Sequence, residues 1–378
     1  MYLFLEIILN EVVILPLEAH LIILKRRGGK SLTMEVINLR NLQSLGLNLT
    51  VLREVARGPI PLPRKLPPRT LLSEPNPEMY YKTPLSQLPV RGRLTHFLKK
   101  WISITSDCWV LSVIRGGLTL QFKEQPPLSP VPIPLSNTQD PQKFLLLSTE
   151  VETLLTKRAV EEVPVSSIDP GFYSRLFLVS KKTGGMRPVI DLSILNSYMI
   201  IPHFKMETNR SIRASILPGM WTTSLDLTDA YFHVPVCHSY RKFLRFVWNK
   251  RVYQFRALPF GLSTAPLAFT KLMQVAIAHL HSQAIQIHSY LDDSLIKELS
   301  PEKLYLNTDV VIRLLLSLGF LISWKKSDLI PSQDFIFLGE HYLTHQCIVR
   351  PPQEKFQNLC SKIHLFLSQK TVTARQFS

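Results

Sequence analysis

Ser289-Tyr290-Leu291-Asp292-Asp293-Ser294 sets two adjacent carboxylates between the apolar-rich runs Ile285-Gln286-Ile287-His288 and Leu295-Ile296. Alternating apolar residues, a polar tip and an apolar return predict a β-hairpin with the acids at its turn. Adjacent carboxylates repel, and folds seldom keep such a pair unless a cation is expected between them. Alone, a Tyr-x-Asp-Asp match more often marks a solvated acidic turn. A second acidic stretch changes that balance. In Ser224-Leu225-Asp226-Leu227-Thr228-Asp229-Ala230-Tyr231-Phe232-His233-Val234, a strand carries Asp226 at or near its end, and Asp229 follows after the chain turns. If the two strands neighbour each other antiparallel, three carboxylates meet at one sheet edge. Such an edge can hold two magnesium ions about 3.5–4 Å apart, which activate a hydroxyl nucleophile and stabilise a leaving pyrophosphate. That chemistry calls for hard oxygen ligands, hence Asp rather than His or Cys.

The surrounding elements must position these acids. Leu176-Phe177-Leu178-Val179 and Pro188-Val189-Ile190-Asp191 read as a hairpin, with Lys181, Lys182 and Arg187 in its connection. That turn is either solvated or a clamp on a polyphosphate. Arg241–Val247 and Arg251–Phe255 read as a second hairpin around Asn249-Lys250. Leu258-Pro259-Phe260-Gly261-Leu262 forms a tight loop, and Ser263-Thr264-Ala265-Pro266 opens a helix to about His281. Leu304 to Leu318 has amphipathic helical spacing, Phe320 to Ser327 reads as a strand passing into a basic turn, and Phe335–Gly339 with His341–Leu343 as a last hairpin. A final helix is expected from about Gln353 to Leu367. Upstream, a helix is expected from Phe144 to Val163, a strand over Asp107–Ile114, and helical spacing over Gly92–Trp101. Six prolines between Pro126 and Pro141 demand an extended connector. Residues 1 to 90 say little beyond a basic cluster at Lys25–Lys30 and a proline-rich basic linker at Pro59–Pro68.

The 378 residues suffice for two or three compact units, and 46% hydrophobic with 19% charged residues describes a globular chain. A net charge of +16 points to a polyanionic partner, nucleic acid ahead of a membrane surface. Cys108, Cys237, Cys347 and Cys360 show no paired spacing, which argues against a zinc site or disulfide framework and suits a reducing compartment. The apolar start, Met1 to Leu24, is interrupted by Glu6, Glu11, Pro16 and Glu18 and lacks a basic leader. It is therefore not read as a signal peptide or membrane span. The expectation is an intracellular chain, cytoplasmic or nuclear, neither secreted nor membrane-bound.

With these residues in place, the chain resembles the reverse transcriptases. Leu225–Phe232 resembles the family's motif A, Leu258–Pro266 motif B, Tyr290–Asp293 motif C, Lys325-Lys326 motif D, and Phe337-Leu338-Gly339 the primer-grip hairpin. Lys181–Asp191 resembles the fingers hairpin, with Asn196 at the family spacing. Six motifs in the family's order make a specific signal over roughly residues 143 to 370. Gly171-Phe172-Tyr173-Ser174-Arg175 looks most like retrotransposons of the DIRS type, with retroviruses and long-terminal-repeat elements next nearest.

The resemblance implies an α+β right-hand polymerase with fingers, an antiparallel palm sheet and a partial thumb. Its expected divisions are a poorly defined, partly flexible extension at 1–90, a small segment and linker at 91–142, fingers at 143–222, palm with primer grip at 223–345, and a shortened thumb or connection at 346–378. It implies template-directed DNA synthesis on an RNA or DNA template from a DNA primer and dNTPs, with two Mg2+ ions, Mn2+ being the alternative. Asp226 and Asp292 would be the main metal ligands and Asp293 a weaker one. Lys326 or Lys325 would protonate pyrophosphate. Arg187 with Lys181 or Lys182 would hold the triphosphate, beside Asp229 and Ala230. Tyr231 would exclude a ribose 2′-hydroxyl, Phe260 and Gly261 would line the nucleotide pocket, and Phe337, Leu338 and Gly339 would support the primer end. Ribonuclease H is expected only in the full family polyprotein, not in these residues. The resemblance leaves the oligomeric state open. Two rivals stand: an inactive or domesticated fragment that only binds nucleic acid, and an RNA-dependent RNA polymerase, which Tyr231 and the Leu-Pro-Phe-Gly loop disfavour. Tyr231 as plain core, Asp229 as a turn cap, Asp191 as a structural hydrogen-bonding group and the histidines as structural or solvated are the plain alternatives at single positions.

Overall fold

A computed structural model describes residues 12–17, 20–27, 31–38, 88, 90–180, 186–358 and 361. The chain divides into two compact units, Met1–Leu72 and Ser73–Ser378. In the first, β1 (Val12–Leu17), β2 (His20–Arg27) and β3 (Ser31–Asn38) form an antiparallel meander. The sequence reading had no strands there. Of the basic cluster at Lys25–Lys30, Lys25, Arg26 and Arg27 lie at the end of β2, with Arg27 opposite Ser31, and residues 28–30 lie outside the described residues. The linker at Pro59–Pro68 lies outside the described residues.

The second unit opens with α1 (Leu98–Ile104), α2 (Cys108–Gly116) and α3 (Pro141–Thr156). The strand expected over Asp107–Ile114 is helix α2. Asp107 caps it, accepting from the backbone N–H groups of Trp109 (2.8 Å) and Val110 (3.0 Å). Val110, Val113 and Ile114 then bury one helical face. At its end Gly117, at φ 89°, lies so close to the Val236–Cys237 backbone that a Cβ would stand 2.5 Å from the Cys237 nitrogen. The helix expected to reach Val163 ends at Thr156. Arg158 turns the chain at φ 54°, and β4 (Val160–Glu162) pairs with a later strand.

Next come β5 (Arg175–Ser180), β6 (Met186–Asp191), α4 (Ser193–Tyr198) and α5 (Asn209–Ser215), with β5 and β6 forming the expected hairpin. Then follow β7 (Trp221–Asp226), β8 (Arg245–Trp248), β9 (Arg251–Phe255), α6 (Ala265–His281), β10 (Gln286–Tyr290), β11 (Asp293–Glu298) and α7 (Pro301–Ser317). β8 and β9 turn at Asn249 and Lys250, both at positive φ as a tight two-residue hairpin requires. β12 (Asp328–Ser332), β13 (Asp334–Phe337), β14 (Glu340–Leu343) and β15 (Ile348–Arg350) complete the labelled elements. The strand expected at Phe320–Ser327 is only a bridge, Ile322 to Leu227, followed by a turn; the paired strand is β12, on the sheet edge where its Pro331 is tolerated. The expected last helix is described over residues 353–358; its continuation lies outside the described residues.

One antiparallel sheet, ordered β10-β11-β7-β12, organises the unit. Side-chain alternation divides β11 between two faces. Ile296 joins the main core with Leu225, Ile287, Phe269, Leu272, Val311 and Leu315, beneath α6 and α7. Leu295 faces the other way, onto Ile212, Phe337 and Tyr342. Thr223 and Thr308 hydroxyls, 2.7 Å apart, satisfy each other inside the β7–α7 contact. Trp101 is fully buried and donates to the Leu318 carbonyl (2.9 Å), tying α1 to the end of α7. The architecture is α+β, as expected.

Candidate active site

The sheet register brings the acids together. β7 ends at Asp226, and Asp226 stands directly opposite Asp293, the first residue of β11. The β10–β11 turn consists of Leu291, at φ 55°, and Asp292. Backbone bonds stitch these segments: Leu227 N–H donates to the Asp292 carbonyl (3.0 Å) and Ser323 N–H to the Asp226 carbonyl (2.8 Å). Asp226 N–H donates to the Ser327 hydroxyl (3.0 Å). A one-residue slip would turn one of the acids to the opposite face.

Asp226 Oδ2 lies 3.4 Å from Lys326 Nζ, while Oδ1 is buried without a hydrogen-bond partner. Leaving a carboxylate oxygen in that state is costly unless a cation is to meet it. The Lys326 side chain is 69% exposed, so water screens its pairing with Asp226. Burial pushes the Asp293 carboxyl up to about 6; the Asp292 and Asp226 charges add to this and Lys326 opposes it. Among the described residues, no three His, Cys, Asp or Glu side chains are gathered as a metal cluster. An all-oxygen donor set with one orphaned oxygen and mutual repulsion nevertheless fits a hard divalent cation.

Beside the acids, Tyr231 packs its ring against Phe260 (centroids 4.8 Å apart) and Phe269 (5.5 Å). Burial, then the Asp292 and Tyr290 charges, push its hydroxyl up to about 12. Ala230 is buried next to it, whereas Phe260 is half exposed. Gly261 sits at φ 92°, a backbone state that favours glycine. Asn196 spans this loop: its amide donates to the Gly261 carbonyl (2.8 Å), and its side-chain oxygen accepts from Ser263 N–H (2.8 Å). Asp229, at φ 52°, pairs with Lys157 (2.8 Å). Arg187 lies on β6 opposite Val179, and Lys181 and Lys182 lie outside the described residues.

The β13–β14 hairpin turns at Leu338 and Gly339, both at positive φ. Asn209 donates to the Leu338 carbonyl and Lys355 to that of Gly339, each at 3.4 Å. Phe337 is buried against Leu295, directly under β11. A cavity of about 380 Å³ lies between residues 205–211, α6 and β10, with Thr270, Gln274, Ser289 and Leu291 among its walls.

Several other groups are structural. His233 is fully buried, which lowers it to about 4; its ring bridges the Ala230 carbonyl and Leu321 N–H. His288 contacts Ser215 and Glu207. Asp191 accepts from the Ser193 hydroxyl and N–H, which hold its carboxyl below the usual range. Sequence reasoning gave no role to Lys157, Ser327 or the Asn196 bridge. The partner of Lys157, Asp229, lies 72 residues away.

Residues 179–342 match the family model described as "Reverse transcriptase (RNA-dependent DNA polymerase)". The chain is 26% identical over 164 residues to the "Pro-Pol polyprotein" of Simian foamy virus type 1, covering 43% of this chain and 14% of that one. It is 26% identical over 231 residues to the "Enzymatic polyprotein" of Soybean chlorotic mottle virus, covering 60% and 32%. It is 25% identical over 258 residues to the "Transposon Tf2-3 polyprotein" of Schizosaccharomyces pombe, covering 68% and 19%. The chain thus spans less than a third of the length of these relatives. Among solved structures, a foamy viral protease-reverse transcriptase in complex with RNA/DNA hybrid superposes with a TM-score of 0.51 at 17% identity, covering 70% of this chain and 37% of that one. That likeness shows a shared polymerase fold.

Proposed function

Because the chain carries a reverse-transcriptase domain related to those of retroviral and retrotransposon polyproteins, we propose that it adds deoxynucleotides to a DNA primer on an RNA or DNA template. The observation that carries this reading is the register of Asp226 against Asp293, with Asp292 in the adjoining turn and Asp226 Oδ1 left unpartnered. Asp226 and Asp292, with Asp293 as the weaker ligand, would hold two divalent ions, Mg2+ or Mn2+, which activate the primer 3′-hydroxyl and neutralise the leaving pyrophosphate.

The chain's own residues do the rest. Lys326, 3.4 Å from Asp226, would give a proton to pyrophosphate, with Lys325 as its neighbour in the same turn. Tyr231, wedged between Phe260 and Phe269, presents a rigid wall where a 2′-hydroxyl would sit. Asn196 fixes the Phe260–Gly261 loop that would form the nucleotide pocket, next to Ala230. Asp229, paired with Lys157, would stand beside the nucleotide with Ala230. Arg187, with Lys181 or Lys182, would grip the triphosphate. Phe337, Leu338 and Gly339, anchored on α5 and β11, would carry the primer end.

The fingers would span 143–222, the palm 223–345, and the thumb or connection 346–378, preceded by the small 91–142 segment and the 1–90 extension. The basic charge and free cysteines suit an intracellular site of action. The narrower kinship with DIRS-type elements rests on Gly171–Arg175.

Primer extension on an RNA template with dNTPs or rNTPs, comparing wild type with Tyr231→Val, tests this reading. The wild type should extend with dNTPs and discriminate against rNTPs. The variant should lose roughly tenfold or more of that discrimination. Absence of dNTP-dependent extension by the wild type would refute the proposal.

A further inference from the structure

Away from the carboxylates, where β4 meets β9 and the chain leaves α3, two arginines hold one acid. The backbone brings two more close by: Arg256 N–H donates to the Ala159 carbonyl (2.8 Å), the residue after Arg158, and Arg91 lies beside Lys157. Glu161 Oε1 accepts from Arg241 Nη1 (3.1 Å) and Gln254 Nε2 (2.9 Å), and its Oε2 lies 2.8 Å from Arg256 Nε. Oε1 is thus hydrogen-bonded, while Oε2 is within ion-pair distance of Arg256, whose Nε is buried without a hydrogen-bond partner. Arg91 is held in the same place by its backbone N–H, which meets the Lys157 carbonyl at 3.4 Å. Arg91 Nε is buried with no hydrogen-bond partner. Arg158, next to Lys157 and at φ 54°, is exposed. Among the described residues, neither Arg91 nor Arg158 forms an ion pair. Burial, with the Arg256, Arg241 and Arg158 charges, lowers the Arg91 guanidinium to about 10.

Four arginines gathered near one carboxylate that already serves two of them amount to an uncompensated positive charge. A fold retains such a charge at a cost unless an anion completes it. Arginine's fixed fork of donors matches the oxygens of phosphate, and the exposed Arg158 leaves the cluster open to a ligand from outside. We propose that Arg91, Arg158, Arg241 and Arg256, gathered near Glu161, form a phosphate-binding site separate from the catalytic carboxylates. Its ligand is a phosphate group, supplied either by a nucleic-acid backbone or by a free polyphosphate. Binding there requires no catalysis, so the inference stands apart from the polymerase reading.

The test compares wild type with Arg158→Gln and with Arg91→Gln/Arg158→Gln; Arg115→Gln, exposed on α2, controls for loss of charge. Affinity for an RNA/DNA hybrid is measured across a salt series, and thermal shift is measured with inorganic tripolyphosphate. If the ligand is a nucleic-acid backbone, the slope of log affinity against log salt should fall by about one for each contact removed, and not in the control. If it is a free polyphosphate, the slope should hold while the tripolyphosphate shift falls by half or more. Unchanged slope and unchanged shift would overturn the site, as would an equal loss in Arg115→Gln. Melting without ligand checks folding, and Arg158→Gln carries the test alone if the double variant does not fold.

Discussion

Burial and the charges of Asp292 and Asp226 raise the Asp293 carboxyl to about 6, against 3.8 for an ordinary aspartate. A carboxyl raised on folding contributes stability that is complete below the unfolded value and is lost as pH rises through about 6. At neutral pH, without metal, ionised Asp293 therefore opposes folding. Asp293→Asn should raise the melting temperature at pH 7.5 in EDTA, by an amount that shrinks as pH falls through about 6 and vanishes only below the ordinary value of 3.8. Magnesium should narrow the gap by stabilising the wild type. Equal gains across this pH range would contradict the electrostatic account. At this scale the acids were legible because each sits at the end of an apolar strand, where a charge can face a cleft. The Lys157–Asp229 pair was not, because nothing local to either residue announces a partner so distant in sequence.

The elements show where pattern and context part. The β7 and β10–β11 segments read correctly because alternation, turn and acid all agreed. Asp107–Ile114 misread as a strand because a short apolar run fits either period; the Asp107 cap and the burial of Val110, Val113 and Ile114 show the helix. Val160–Glu162 was absorbed into the preceding helix because its strand identity comes only from pairing with β9. Asn196 acts at the same scale, joining the end of α4 to the loop before α6 through both ends of its amide. Asn196→Ala removes both bonds. It should cost about 1–2 kcal/mol, seen as a lower melting temperature, and raise the KM for dNTP more than it lowers kcat. An unchanged dNTP KM would mean that the Gly261 loop needs no such tether.

Across the whole molecule, the +16 charge points to a polyanionic partner, and residues 179–342 match the reverse-transcriptase family model, which agrees with the proposal that this partner is nucleic acid. Among the described residues, no helix is long and apolar enough to cross a membrane. The meander of β1–β3 was not legible, since its flanking residues carry no motif and its strands follow from mutual pairing. In the proposed function, Asp226, Asp292 and Asp293 form a working nucleotidyl-transfer edge within this chain. The most direct measurement is primer extension on an RNA template with dNTPs and Mg2+, wild type against Asp292→Asn, with hybrid affinity measured in parallel. The wild type should extend, the variant should lose at least about a hundredfold, and both should bind with similar salt sensitivity. Extension by neither protein while both still bind, or equal extension by both, would contradict that function.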